Sequence, residues 1–264
     1  MNLAYDRLAD VYDQWITGDP ACESCLDFYL RRLADTVGRI VDGGVGTGRL
    51  AVELARRGRA VLGIDESLPM LERARHRARQ LPGDASLGLC QMDLLSLGLR
   101  GVDVFVLPFR TIGHFVTLDA RKRLLRQVFE SLEPGGRFIF DHYVPDLEWA
   151  QVHHARPLKM FDEESNEIHI EIWDTYEFDL KLGLMHCSVD IRRQAVAALK
   201  GPRKANHENI NFTFAWVYPD EVPRLAAATG FEVERVYGDF NGGAFSAQAQ
   251  QQIWELRKPL KGVG

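Results

Sequence analysis

The chain has 264 residues, 46% of them hydrophobic, with a formal net charge of −5 and a sequence pI near 5.9. That is ample for one large globular α/β core, and the mildly acidic balance leaves no electrostatic footprint for nucleic acid or an anionic membrane surface. No apolar run approaches the ~20 residues that span a bilayer, and the start, Met1 to Asp6, lacks the basic residues and apolar stretch of a secretory signal, so a cytoplasmic protein is expected.

Residues 5–33 read as helical, with Tyr5, Leu8, Ala9, Tyr12 and Trp15 recurring at helical intervals. Cys22 and Cys25 form a C-x-x-C there. No second pair or histidines follow at metal spacing, and the pair opens a helix instead of flanking a strand. Reduced, structural thiols are expected. Gly38 to Val41 reads as a short buried strand, followed by Asp42-Gly43-Gly44-Val45-Gly46-Thr47-Gly48 and a helix from Leu50 to Arg57. Glycine allows positive φ and close backbone approach to a ligand, and the helix start offers free N–H groups to it. Gly44, Gly46 and Gly48 are spaced two apart, which does not match the dinucleotide pattern G-x-G-x-x-G. The next strand, Ala60 to Asp65, ends in a carboxylate placed to accept hydrogen bonds from ribose hydroxyls. Ser67 and Pro69 then open a helix as N-cap and first-turn residue. The basic clusters Arg73 to Arg79 and Arg121 to Arg126 fall at helical spacing and read as solvated helix faces.

A third strand within 85–94 ends in Met92-Asp93-Leu94, and Val102 to Pro108 is a fourth. Pro108 to Phe115 then lies at the C-terminal edge of the sheet, where open α/β sheets bind ligands. An amphipathic helix covers 118–132. Glu133-Pro134-Gly135-Gly136 makes a sharp turn, Arg137 to Asp141 is the fifth strand, and His142 and Tyr143 follow on the same edge. The pattern then changes. Residues 167–178, 185–195 and 209–217 alternate apolar and polar, as antiparallel strands do. They define a β insertion over 151–217, with a loop from Leu199 to Lys204. It suits a substrate lid or a dimer surface, so a homodimer is compatible. A helix to Gly230, a strand at 231–237 and a last strand at 250–257 close the chain.

Several of these stretches together resemble the class I S-adenosylmethionine-dependent methyltransferases that act on small molecules. They are the segment Tyr5 to Trp15, Asp42-x-Gly44-x-Gly46-x-Gly48, Ile64 to Leu71, Met92-Asp93-Leu94, the Pro134-Gly135-Gly136 turn and the C-terminal helix–strand pair. Only the insertion falls outside the resemblance. Gly43 and Val45 stand where the family often has Leu and Cys, a sterically mild departure. The resemblance implies one domain, 1–264, of the α/β class. Its core would be a doubly wound, seven-stranded Rossmann-like methyltransferase sheet with an N-terminal helical cap (1–33) and the antiparallel β insertion after the fifth strand. It implies S-adenosyl-L-methionine as cofactor. Asp42, Gly44, Val45, Gly46 and Gly48 would pass under its methionine part, with Asp65 and Glu66 beside the ribose. Met70, Met92, Asp93 and Leu94 would surround the adenine, Asp93 accepting from its amino group. Pro108 and Phe109 would complete the cofactor site, and Tyr12 of the cap would face the sulfonium or the acceptor.

The expected partner is a small-molecule methyl acceptor, nitrogen or oxygen left open. The Asn/Asp-Pro-Pro-aromatic motif of DNA-base and protein-amide methyltransferases is absent. His114 is the first candidate for a general base because it follows the fourth strand, with Tyr12 as a second catalytic candidate and His142 and Tyr143 also on the edge. His153 and His154 lack carboxylate partners at ligand spacing, so no metal is expected. Two other readings remain. One is a protein that keeps the cofactor site without transferring methyl. The other, a nicotinamide-dependent oxidoreductase, is opposed by the glycine spacing and the lack of a Tyr-x-x-x-Lys.

Overall fold

β1 (Arg39–Gly43) is buried from Ile40 onward and forms the centre of the main sheet. It is flanked in parallel by β2 (Ala60–Asp65) and β4 (Val102–Leu107). The computed structural model describes residues 3–165, 167–195 and 206–260; the loop expected at 199–204 lies outside them. The sheet has seven strands in the order β10-β11-β5-β4-β1-β2-β3, with β3 at Leu87–Gln91, β5 at Leu132–Tyr143, β10 at Glu232–Tyr237 and β11 at Gln251–Arg257. β11 is antiparallel to β5 and to β10; the pairs among β1 to β5 are parallel. The expected seven-stranded sheet is therefore present. Strand order reverses between β1 and β4, and that switch point is where such sheets open a crevice for ligands.

β5 is longer than its sequence suggests because the Pro134-Gly135-Gly136 turn is accommodated within it. The register against β4 jumps from Val102↔Leu132 to Val104↔Arg137, so the turn residues bulge out of the ladder. Helices α4 (Arg49–Arg56), α5 (Leu68–Ala78), α6 (Leu118–Ser131) and α8 (Glu221–Thr229) bury apolar stripes on the two faces. Ser67 caps α5 as its sequence predicts, accepting from the Met70 amide. One basic cluster differs from expectation. Arg121 is 7% exposed, pairs with Glu221 at 2.7 Å and donates to the Phe115 carbonyl, which ties α6 to α8.

The cap is three short helices, α1 (Leu3–Leu8), α2 (Tyr12–Ile16) and α3 (Cys22–Arg32), not one run. Gly18, Asp19 and Pro20 break it, and Asp19 accepts from the Ala21 amide to start the next turn. Cys22 and Cys25 are free and buried on α3.

The insertion is a second sheet, β6 (Leu158–Glu164), β7 (Ile168–Asp179), β8 (Leu184–Ala195) and β9 (Asn206–Ala215), antiparallel throughout. A short helix, α7 (Leu147–His153), leads into it. β6 has no clear sequence signal: a register shift between Lys159 and Phe161 interrupts its alternation, and it ends in Asp162-Glu163-Glu164. One face of this sheet, through Ile172, Cys187, Val189, Ile191 and Ile210, forms a single core with Ala4, Leu8 and Val11 of the cap and Met70 of α5. Among the described residues no helix is long and apolar enough to cross a membrane.

Candidate active site

The glycine turn after β1 is held by the strand beside it. Asp65, at the tip of β2, accepts from the Gly46 amide through Oδ2 at 2.8 Å and from the Ser67 amide through Oδ1 at 2.9 Å. Gly44 and Gly46 have φ of 66° and 53°, a conformation L side chains rarely adopt. A Cβ on Gly44 would also stand 2.7 Å from Thr111 of the β4 loop, so only glycine lets the two loops meet.

The β4 loop is held from the opposite side. Phe109 and Arg110 are non-glycine residues with φ of 54° and 63°. Asp141, near the end of β5 and fully buried, accepts from both of their amides at 2.8 and 3.0 Å and from the Tyr29 hydroxyl at 2.8 Å. A carboxylate aimed at two successive amides fixes a backbone that would otherwise relax. The loop ends in a single 3₁₀ turn, Thr111–His114, which presents His114.

Over this edge lies a cavity of about 1560 Å³, bounded below by the two loops, on one side by the cap and above by the second sheet. Tyr12, Gly44, Gly46, Asp65, Glu66, Met70, Asp93, Leu94, Phe109 and His114 all line it. A recess of about 60 Å³ adjoins it, lined by Asp42, Val45, Pro108 and Arg49 among others. Tyr12, Gly44, Gly46, Phe109 and Thr111 line both, so they stand at the junction. Two sequence candidates line neither. Gly48 faces α5, where a Cβ would meet that of Ala74 at 3.0 Å; Met92 packs against the main core.

The charges follow from burial. Asp42 is 2% exposed, and burial, with Asp65 adding repulsion, raises its pKa to about 8. Burial likewise raises Asp65, opposed by the Ser67 and Gly46 amides. Burial raises Glu66 too, and the neighbouring Asp93 adds to the effect. The Asp93 carboxylate accepts from the Leu95 amide.

His114 and His142 look alike in the sequence and differ in the fold. His142 is fully buried, with Nδ1 at 2.8 Å from the Tyr143 carbonyl and Nε2 at 3.2 Å from that of Ala215; it pins β5 to β9 and does not line the cavity. His114 lines the cavity among Tyr5, Phe212 and Phe214, and burial lowers its pKa to about 4, so it is neutral at ordinary pH. Its Nε2 lies 2.8 Å from the Tyr5 hydroxyl, while Nδ1 has no partner among the described residues. With Nε2 as the donor to the Tyr5 oxygen, Nδ1 keeps the lone pair that can receive a proton; the opposite tautomer leaves none free. Tyr143 also lines the cavity, with a buried hydroxyl lacking a hydrogen bond among the described residues.

Away from the cavity, Asp162, His169 and Glu171 converge on the outer face of the second sheet. Lys159 donates to both carboxylates and His169 bonds Asp162, so these groups are already bonded to one another.

A family model described as a methyltransferase domain matches residues 40–136. YqeM of Bacillus subtilis, which carries a provisional methyltransferase designation, is 24% identical over 258 residues, covering 97% of this chain and 98% of that protein. Together these findings support a class I S-adenosylmethionine-dependent methyltransferase. A carboxy-S-adenosyl-L-methionine synthase of Wolinella succinogenes is 30% identical over 148 residues, 53% of this chain and 60% of that protein. Among solved structures, the methyltransferase CcbJ of Streptomyces caelestis superposes with a TM-score of 0.76 at 21% identity, covering 97% of this chain and 98% of that one. The amino pentose methyltransferase CalS10 of Micromonospora echinaspora gives 0.62 at 17% identity, covering 97% and 91%. These likenesses fix the fold. The residues present suit this family's cofactor, S-adenosylmethionine. The loop bends where a Cβ on Gly44 would obstruct it, Asp65 keeps lone pairs beyond its two amide bonds, and buried Asp42 has no cationic partner among the described residues.

Proposed function

We propose that the chain transfers the methyl group of S-adenosylmethionine to a nitrogen or oxygen of a small molecule inside this cavity. The observation that carries the reading is the meeting of two clamped loops under a chamber with volume for a cofactor and an acceptor together. A bound sulfonium supplies an already activated methyl, so the protein's work is to orient, to exclude water and to receive a proton. Asp65 and Glu66 hold the ribose, Asp93 and Leu94 the adenine, and Gly44, Gly46 and Asp42 the methionine part. Arg49, absent from the sequence candidates, is the cation of the recess and offsets a carboxylate there. The β insertion serves as a lid: Tyr176, Phe178, Phe212 and Phe214 line the chamber from above, and its core is shared with the cap. Calorimetric titration with S-adenosylmethionine, S-adenosylhomocysteine and NADH tests the cofactor. Binding of the first two alone is expected, and NADH binding alone would sink the reading. Because several relatives bear a synthase name, a screen of amines and alcohols should score acceptor mass gain as well as cofactor turnover.

Asp42 gives a pH-linked prediction. Its folded pKa of about 8 lies far above the ordinary carboxylate value of 3.8, so the fold favours the protonated form. Stability is unaffected below about pH 4 and is lost as pH rises from there towards 8. Asp42→Asn should flatten that decline and raise the melting temperature of the cofactor-free protein at pH 8. A cationic ammonium in the recess favours the ionised form, so cofactor binding near pH 7 should release a proton. Calorimetry in two buffers of different ionisation enthalpy reads that release, and Asp42→Asn should abolish it.

His114 gives the second. His114→Ala should leave S-adenosylhomocysteine affinity within about twofold while slowing methyl transfer by roughly 10²-fold. Since His114 stays neutral down to about pH 4, its titration adds no inflection near pH 6.5 to the rate profile. Full turnover in the variant would remove His114 from the chemistry.

A further inference from the structure

The roof contributes a second buried carboxylate to the chamber wall. Asp174 on β7 is fully buried. Both of its oxygens accept from the Trp15 indole N–H, at 2.8 and 3.0 Å, and Oδ2 accepts from the Tyr176 hydroxyl at 2.7 Å. All of these donors are neutral. Among the described residues no lysine, arginine or histidine pairs with Asp174. Asp19 is close enough to repel it, and Arg110, the cation on that side, is paired with Asp19. A buried carboxylate held only by neutral donors is costly unless something positive approaches it.

The two donors are themselves aromatic walls of the chamber. Trp15 meets Tyr12 edge-on at 5.9 Å and Phe212 at 6.1 Å; Tyr176 lies 6.0 Å from Trp149 and 6.2 Å from Phe178. Ring faces attract cations, and more so where water is excluded. Hydrogen bonding to an anion enriches the electron density of both rings. The pKa of Asp174 rises to about 6 through burial, so the negative charge is present at neutral pH.

We propose that this end of the chamber recognises a cationic nitrogen on the methyl acceptor, an ammonium or quaternary ammonium group held on the Trp15, Tyr176 and Phe212 rings with the Asp174 charge behind them. The inference rests on the methyl-transfer reading and narrows its acceptor to a cationic small molecule. It assigns recognition only; the atom that receives the methyl need not be the charged one. Asp174 acts through the rings and is a positioning residue.

The alternative is that Asp174 only ties the cap to the roof. Choline and its neutral isostere 3,3-dimethyl-1-butanol separate the two roles, since they share a shape and differ in charge. Protein saturated with S-adenosylhomocysteine is titrated with each, following tryptophan fluorescence, to which Trp15, Trp149 and Trp216 of the chamber wall contribute. Choline should bind about tenfold more tightly than the alcohol. Asp174→Asn keeps an acceptor oxygen and removes the charge; it should bring the two probes to near parity while S-adenosylhomocysteine affinity is unchanged. Tyr176→Leu keeps the carboxylate, removes one ring and should also shrink the preference. Equal binding of the probes by the unaltered protein, binding of neither, or an undiminished preference in both variants would overturn the proposal. Failure of the unaltered protein to bind S-adenosylhomocysteine would instead sink the methyl-transfer reading, and the first titration reads that separately.

Discussion

Asp141→Ala is expected to lower stability by about 3 kcal/mol and the melting temperature by roughly 6–12 °C, and to weaken cofactor binding with it. Asp141 accepts from the Tyr29 hydroxyl, the Phe109 and Arg110 amides and, more weakly, the Cys25 thiol, in a site without solvent. Removing the carboxylate also removes a buried charge, and burial raises its pKa in the fold, so the gain on that side offsets part of the loss. The donors decide the sign. Two buried amides and a hydroxyl are left without acceptors, and two residues with φ of 54° and 63° lose what holds them there. Once the loop relaxes, Phe109, Thr111 and His114 no longer face the chamber as a set. Asp141→Asn keeps the shape but turns an amide N–H towards one backbone donor, so it should lose about half as much. Chemical denaturation measures the stability change. Unaltered stability in Asp141→Ala would mean that the β4 loop holds its conformation unaided.

Nothing in the sequence announces that clamp. Asp141 could be placed on the ligand-binding edge, but its partners are backbone amides of a loop from a different strand, and neither Phe109 nor Arg110 is a residue type that signals positive φ. What was legible is local. The spaced glycines, the carboxylate ending β2 and the Ser67 cap are each set by one or two neighbouring residues. Three strands of the insertion showed because one face is buried and side chains alternate along a strand. β6 did not, since a register shift breaks its alternation. Contacts between distant segments were not readable at all. The Tyr5–His114 and Trp15–Asp174 bonds join the cap to elements more than a hundred residues away in the chain, as their separations of 109 and 159 record. The same limit left His142 on the candidate edge behind His114, when its two nitrogens face carbonyls of β5 and β9 instead of the cavity.

Asp65→Ala should weaken S-adenosylhomocysteine binding by about 100-fold, near 2.7 kcal/mol, with little effect on the fold. Asp65 does two things at once. It pins the Gly46 amide, which sets the shape of the glycine turn, and it keeps lone pairs on both oxygens for ribose hydroxyls. Losing the side chain gives up the ribose bonds and frees the turn, so binding must also restore the order of the loop. Stability should hold because α5 keeps its own cap, Ser67 Oγ to the Met70 amide, and the freed amides lie beside an open cavity where water can bond them. Asp93 is the useful contrast. It is exposed and bonded through one backbone amide, and solvent competes for its ligand contacts, so Asp93→Ala should cost about tenfold. Asp65→Asn, with one acceptor left, should fall between them. The measurement is calorimetric titration of each variant at one pH, paired with its melting curve. Unchanged affinity in Asp65→Ala would take the residue out of the cofactor site. A lost melting transition would mean instead that the clamp on Gly46 matters first to the fold.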